Sequence, residues 1–246
     1  MPWLYAAGGL GANAAPRFAS TRLATKIMST LNARENSLVC KLVYDGPALA
    51  GKTTSLRSIH SVLDPAQATR PVLLRTEDAR TLFFDFIPFD LGAACGHRVR
   101  IQGFTAPGEV RYNLTRRCLL MGADGVVFVA DAAREKLDEN RAALASLTAN
   151  LRANNMDPSR IPLVLQYNRR DAADALSREE LDAALNPHAL PSFSTNALKG
   201  EGVFDAFATA VQRILNQEAS KHRLVFEEPL GDVALRWLAR FATPRR

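Results

Sequence analysis

The chain has 246 residues, of which 47% are hydrophobic and 23% are charged, a composition typical of a globular protein with one full core. No uninterrupted apolar run is long enough to span a bilayer, so a transmembrane segment is not expected. The formal net charge is +6, but residues 37–218 hold 21 basic and 21 acidic side chains, so the excess lies in the two ends. A basic groove for nucleic acid on the folded body is therefore not expected.

The cysteines and histidines show no disulfide or metal-site pattern. Cys40, Cys95 and Cys118 are odd in number, widely spaced and without a C-x-x-C pair. This usage favours reduced cysteines and a cytoplasmic protein. The 4 histidines likewise lack the spacing of a metal site.

Residues 1–36 are predicted to be a low-complexity, disordered N-terminal extension. They are rich in Ala, Gly, Ser and Asn, and Glu35 is the first acidic residue. A transit peptide, a disordered tail and a misplaced start with Met28 as the true first residue all remain open as interpretations.

The next segment predicts a strand, a loop and a helix. Residues 38–44 form a short apolar run typical of a strand, and Leu56, Ile59 and Leu63 recur at helical spacing. Between them, residues 46–54 match the spacing G-x-x-x-x-G-K-[ST] without a gap. This arrangement predicts a loop that binds the phosphates of a nucleotide.

The chemistry of such a loop assigns roles to its residues. Backbone N–H groups converge on the phosphates, and a cation reaches over them. Lys52 is expected to contact the β- and γ-phosphates, and the Thr53 hydroxyl to bind Mg²⁺. The predicted nucleotide-binding residues of this loop are Gly46, Ala48, Ala50, Gly51, Lys52, Thr53 and Thr54.

Strands and helices alternate along the rest of the body. The predicted strands lie at 72–75, 81–88, 99–104, 125–130, 161–167 and 190–193, and the predicted helices at 110–121, 137–151, 177–185 and 203–217. This alternation predicts an α/β fold of the P-loop NTPase type, with a doubly wound, mostly parallel sheet and helices on both faces. Ligand is expected at the carboxyl ends of the strands.

Two downstream loops favour guanine as the base. The segment Asn168-Arg169-Arg170-Asp171 follows a predicted strand and is close to N-K-x-D. The Asp171 carboxylate can accept from both guanine N1–H and the exocyclic amine, donors that adenine does not present together. Asn168 is expected to brace the loops around the base, and Asn196-Ala197-Leu198 occupies the place of an S-A-K loop. The predicted ligand is GTP or GDP.

With these motifs, the chain resembles the small Ras-like GTPases of bacteria, and within them the mutual-gliding protein A (MglA) family that governs cell polarity and motility. The resemblance covers about residues 37–217. It implies a Ras-like GTP-binding domain over 37–218 that hydrolyses GTP to GDP with Mg²⁺, and a Roadblock-type activating partner. The residues that carry it are Gly46-Pro47, 51–54, Thr76-Glu77, 80–86, Pro107-Gly108, 124–131, 166–168 and 202–205.

The resemblance also implies roles in the two switch segments. Thr81 matches the threonine that senses the γ-phosphate and Mg²⁺, and Arg80 matches an arginine supplied in cis for catalysis. Thr105 begins the second switch, in which Gly108 is assigned to the nucleotide. Asp85 is a candidate for the outer shell of Mg²⁺, and the alternative is a strand residue that faces solvent.

Three departures from the family pattern bear on hydrolysis and on base binding. Glu109 stands where the family has the glutamine that orients the attacking water, and Ala48 replaces a glycine beside the γ-phosphate. Arg169 replaces the lysine of N-K-x-D. A switch that hydrolyses GTP slowly and a GTP-bound scaffold without hydrolysis therefore both remain open, whereas the guanine loop disfavours a P-loop kinase.

Residues 219–246 are predicted to be a basic C-terminal extension that contains an amphipathic helix. Val233, Trp237 and Phe241 recur on one apolar face. Two interpretations remain open. The helix makes a peripheral contact with a membrane or a partner, or it packs back on its own domain.

Overall fold

The computed structural model describes residues 30–32, 36–63, 72–73, 85–94, 97–222 and 229–242. Its strands form one mixed, mostly parallel sheet in the order β3-β4-β5-β2-β6-β7-β8, with β1 paired to β2. The strands are β1 (Thr30–Asn32), β2 (Ser37–Asp45), β3 (Val72–Leu73), β4 (Asp85–Ala94), β5 (His97–Thr105), β6 (Gly125–Asp131), β7 (Leu163–Asn168) and β8 (Ser192–Ser194).

Helices cover both faces of the sheet, which confirms the predicted doubly wound fold. One core contains residues of α1, α5 and α6, and the other contains residues of α2, α3 and α4. Among the helices in the described part of the chain, none has the length and apolar character to cross a membrane. The helices are α1 (Lys52–Leu63), α2 (Asn113–Leu120), α3 (Leu137–Ala153), α4 (Arg178–Leu185), α5 (Val203–Lys221) and α6 (Leu230–Ala242).

Strand β6 shows why the sequence predicts this layering. Successive side chains of a strand point to opposite faces, so a strand with apolar residues at every position must be covered on both. Val127 and Val129 belong to the core with α1 and α5, whereas Val126 and Phe128 belong to the core with α3. All four side chains are fully buried.

Strand β4 extends beyond its predicted end. The sequence places the end of this strand at Pro88, but β4 continues to Ala94 and pairs with β5 in an antiparallel hairpin. Among the described strands, β3 pairs with β4 only at Asp85 and Phe86, so Pro88 lies where no ladder hydrogen bond is needed on its outer edge. The proline therefore does not end the strand. Residues 81–84 of the predicted strand lie outside the described residues.

The C-terminal helix α6 packs on its own domain, against α5, β4 and α1. Its Ala234 and Leu238 side chains are buried in the core with α1 and α5. Gly231 N–H donates to Asn216 Oδ1 of α5 at 2.8 Å, which fixes the start of the helix. This is the second of the two predicted arrangements. The side chains of Trp237 and Phe241 lie outside the described ones.

Leu238→Ala should lower the free energy of unfolding by about 2–5 kcal/mol, because it removes buried methyl groups from the core under α6. Leu238 is 0% exposed, whereas Leu114 is 76% exposed. Leu114→Ala is therefore the matched control and should change stability by less than about 0.5 kcal/mol. Urea unfolding of the two variants measures the difference. Equal effects would contradict the docking of α6.

Candidate functional site

The phosphate loop connects β2 to α1 and is closed tightly by Gly51. This glycine has φ +98°, and a Cβ atom added to it would lie 2.2 Å from Asn168 Nδ2. A side chain at this position would push the loop away from β7. The residue type at Gly51 is therefore dictated both by backbone conformation and by the close approach of the neighbouring loop.

Lys52 begins α1 and folds back over the loop. Its Nζ donates to the carbonyl oxygens of Gly46 at 3.0 Å and Pro47 at 2.5 Å. The side chain is 7% exposed. Burial lowers the pKa of Lys52 to about 8, with Asp45 acting to raise it and Arg116 to lower it further. A cation is thus held at the mouth of the loop, where a phosphate would neutralise it.

Three oxygen-bearing side chains converge beside the loop. Thr53 Oγ1 donates to Asp85 Oδ2 at 2.5 Å, and Thr105 Oγ1 donates to the same oxygen at 3.1 Å. Asp85 is 8% exposed, which excludes the alternative of a strand residue facing solvent. Oxygen donors are what Mg²⁺ prefers, so the donor set fits the predicted ion. Arg57 lies 3.7 Å from the other Asp85 oxygen.

Asn168, at the end of β7, connects two of the predicted loops. Its Nδ2 donates to the Ala50 carbonyl of the phosphate loop at 2.8 Å. Its Oδ1 accepts from the Ala197 N–H at 2.9 Å and from Thr195 Oγ1 at 3.2 Å. The predicted bracing by Asn168 thus exists as hydrogen bonds to both sides, and its side chain is 4% exposed.

A cleft of about 530 Å³ lies between the phosphate loop and the two downstream loops. Asp171 lines it with a half-exposed carboxylate, and Lys199 lies 3.8 Å from that carboxylate. Arg169 lines the same cleft, and its Nη1 donates to Asp131 Oδ2 at 2.9 Å. Predicted residues that also line the cleft are Gly51, Thr54, Asn168, Asn196 and Ala197.

The residues predicted to act in hydrolysis are only partly described. Arg80 and Thr81 lie outside the described residues. Glu109 precedes a one-turn 3₁₀ helix, and its half-exposed carboxylate pairs with Arg111 Nε at 2.6 Å. Ala48 is exposed on the phosphate loop, and Gly108 approaches its backbone closely.

Sequence reasoning assigned no contact in the site to several residues that shape it. Asp45 and Arg116 form a buried ion pair between the end of β2 and α2. Asp131 holds Arg169, and Thr105 holds Asp85. Asp45 precedes the phosphate-loop motif, and Asp131 ends an apolar strand. Their positions in the sequence were therefore the signals that could have pointed to a role in the site. No spacing in the sequence marks Arg116.

Comparisons with known proteins agree with this geometry. The family model described as the ADP-ribosylation factor family matches residues 24–214. The chain is also similar to the mutual gliding-motility protein MglA of Myxococcus xanthus (strain DK1622), with 40% identity over 190 residues. That alignment covers 77% of this chain and 97% of MglA.

Proposed function

Because this chain belongs to the ADP-ribosylation factor family and is a divergent MglA-like small GTPase, we propose that it is a molecular switch that binds guanine nucleotide and hydrolyses GTP to GDP with Mg²⁺. The proposed binding unit is residues 37–218. The observation that carries the proposal is the position of Asn168, which bonds to Ala50 on one side and to Ala197 on the other. The phosphate end and the base end therefore belong to one cleft.

At the phosphate end, Lys52 is the residue that distinguishes a polyphosphate from other anions. Its Nζ already lies within hydrogen-bond distance of two loop carbonyls, so little rotamer freedom would be lost on binding. Burial strengthens its interaction with a negative ligand, since few water molecules compete. The backbone N–H groups of Gly51 to Thr54 supply the remaining donors at the start of α1.

At the base end, Asp171 is the residue that selects guanine. Its carboxylate lines the cleft and accepts hydrogen bonds only, which matches the two donors on the guanine edge. Arg169 is held against Asp131, so its aliphatic stem is positioned along the cleft wall as the lysine of N-K-x-D would be. Asn196 and Ala197 complete this end of the cleft.

Thr53, Asp85 and Thr105 would hold Mg²⁺, with Thr81 as the predicted fourth residue from the first switch. Magnesium supplies neutralisation of the charge that develops on the phosphates during hydrolysis. Thr53 stands at the first turn of α1 and Thr105 at the end of β5, so Asp85 bridges the phosphate loop and the second switch. Each threonine oxygen keeps a lone pair for a cation while its proton is donated to Asp85.

Hydrolysis requires a water molecule to attack the γ-phosphate, with stabilisation of the transferred group. Arg80 is the proposed cis-acting arginine, and Glu109 occupies the place of the water-orienting residue. A carboxylate accepts from water but repels the γ-phosphate, so turnover is expected to be slow. The pairing of Glu109 with Arg111 favours the alternative function, a GTP-bound scaffold, because it directs the carboxylate to another partner.

Competition for labelled GDP tests the binding part of this proposal. Unlabelled GDP should displace it from the purified full-length protein about 100-fold better than ADP does, because adenine cannot satisfy Asp171. Equal displacement by ADP would reject guanine recognition and revive a P-loop kinase. Omission of Mg²⁺ should weaken GTP binding if the oxygen cluster around Asp85 holds the ion.

Glu109→Gln should accelerate single-turnover GTP hydrolysis about tenfold or more, because the amide restores a donor toward the γ-phosphate and removes a repelling charge. Glu135→Gln is the matched control, since Glu135 also lines the cleft but lies after β6. Slower hydrolysis in Glu109→Gln would instead make Glu109 a working base. If neither the unaltered protein nor Glu109→Gln forms GDP within hours, the result would favour the GTP-bound scaffold without hydrolysis.

The proposed cellular role follows from similarity to MglA. We expect a Roadblock-type activating partner, and a process in cell polarity or gliding motility. Cys40 and Cys118 are both free thiols, in keeping with a cytosolic site of action. A peripheral membrane contact through α6 stays a separate prediction, and it would have to coexist with the burial of Leu238.

A further inference from the structure

The loop of the second switch lies directly against the phosphate loop. A Cβ atom added to Gly108 would lie 2.3 Å from the Ala48 nitrogen and 2.4 Å from the Pro47 carbonyl carbon. Backbone therefore meets backbone here, without an intervening side chain. A side chain from elsewhere in the fold is therefore needed to hold the two loops at this distance.

Arg116 of α2 supplies that side chain. Its Nη2 donates to the carbonyl oxygens of Gly108 at 2.9 Å and Pro107 at 3.1 Å, and its Nε donates to Pro107 at 3.3 Å. Its Nη1 donates to Ser146 Oγ of α3 at 3.2 Å. The side chain is 3% exposed. The planar guanidinium thus fixes two successive peptide planes of the switch loop at once.

Asp45 ties the same guanidinium to the start of the phosphate loop. Its Oδ1 lies 3.5 Å from Arg116 Nε and accepts the Gly46 N–H at 2.6 Å. The side chain is fully buried, and within the described structure its Oδ2 has no hydrogen-bond partner. Burial raises the pKa of Asp45, and Arg116 is the largest opposing influence.

A purely structural role does not account for this arrangement. Buried ion pairs contribute little net stability, because desolvation offsets their attraction. A pair retained only to attach α2 would be expected to bond mainly to α3. Instead, the pair bonds to three groups of the two loops, the Gly46 N–H and the carbonyl oxygens of Pro107 and Gly108, and its bond to α3 is the one to Ser146 Oγ. The pair joins the two nucleotide-facing loops.

The peptide geometry gives the consequence. In a trans peptide, the N–H points opposite to the C=O of the preceding residue. The Pro107 carbonyl points to Arg116, so the Gly108 N–H points away from the guanidinium. Gly108 lies against Ala48 and Pro47, beside the carbonyl that Lys52 contacts.

We propose that Asp45 and Arg116 are a positioning pair that presents the Gly108 N–H to the terminal phosphate of GTP, and so strengthens the binding of GTP without changing that of GDP. This inference rests on the proposed function, since it concerns the same cleft. GDP lacks the terminal phosphate and makes no use of the pair. The two nucleotides should therefore respond differently when the pair is altered.

The test compares Kd for GDP and for a non-hydrolysable GTP analogue in full-length Arg116→Lys and Asp45→Asn. Lysine keeps the positive charge but lacks the planar set of N–H donors of the guanidinium. Asparagine keeps the shape of aspartate but lacks its negative charge. We expect the GTP analogue to bind about tenfold more weakly, with GDP affinity changed by less than about threefold. Arg117→Lys is the matched control on the same helix, and its side chain is exposed. It should change neither affinity.

Other outcomes overturn the inference in distinct ways. Equal weakening of both nucleotides in both variants would make the pair merely structural, and unchanged binding would make it irrelevant. If Arg116→Lys unfolds below the assay temperature, Asp45→Asn decides by the same comparison. Failure of the unaltered protein to bind either nucleotide would instead reject the proposed function.

Discussion

Asp171→Asn should convert a protein that prefers guanine into one that prefers xanthine. Guanine presents two donors, N1–H and the 2-amino group, and a carboxylate accepts both. An asparagine amide oxygen still accepts one hydrogen bond from guanine. Its NH₂ group, however, faces the guanine amine, so two donors meet and no hydrogen bond forms there. Xanthine carries an oxygen there, so it satisfies the amide. We expect GDP affinity to fall about 10²–10³-fold and xanthosine diphosphate to bind better than GDP.

Asp174→Asn is the matched control for this experiment. Asp174 also lines the cleft and lies three positions along the same loop. Competition between GDP and xanthosine diphosphate for one labelled ligand measures the preference. An unchanged ratio in Asp171→Asn would mean that the base is read elsewhere, and a similar shift in both variants would indicate a general effect of charge in the cleft.

Lys52→Ala should weaken GDP binding about 10²–10³-fold, because it removes a buried cation that the phosphates would pair with. The loss also leaves the Gly46 and Pro47 carbonyls without the donor they now share. Lys136→Ala is the control, since Lys136 pairs with Glu139 on the surface. Its GDP affinity should match that of the unaltered protein. A melting curve separates lost binding from lost folding.

The low pKa of Lys52 adds a dependence on pH to the same experiment. With a pKa of about 8, Lys52 is protonated at pH 7 and increasingly neutral above pH 8. A bound phosphate favours the protonated form, so GDP affinity should be highest below pH 8 and should fall as pH rises toward 9. Buried Lys41 also has a pKa of about 8, so the comparison with Lys52→Ala isolates the contribution of Lys52. Parallel pH profiles in the two proteins would contradict its role.

The features that the sequence predicts well are those held within a few consecutive residues. The phosphate loop, the segment from Asn168 to Asp171 and the layering of β6 depend on local spacing, and the structure brings these segments together around one cleft. Their order along the chain is enough to predict a shared site, because the carboxyl ends of parallel strands meet at one edge of the sheet.

Features that depend on distant contacts could not be predicted in this way. Asp85 had two equally good interpretations, and its burial beside Thr53 and Thr105, which are 32 and 20 positions away, excludes the solvent-facing one. Arg116 carries no signature, since an arginine on a helix is most often a solvated side chain. The end of β4 was predicted wrongly because it depends on which edge of Pro88 faces a partner strand.

The hydrogen bonds of Asn168 have a consequence for nucleotide exchange. One amide group is shared between the segment that holds phosphate and the segment that surrounds the base. If either segment moves away, the amide loses partners on that side and holds the other less firmly. Release of the proposed nucleotide should therefore be cooperative, with both ends of the cleft opening together.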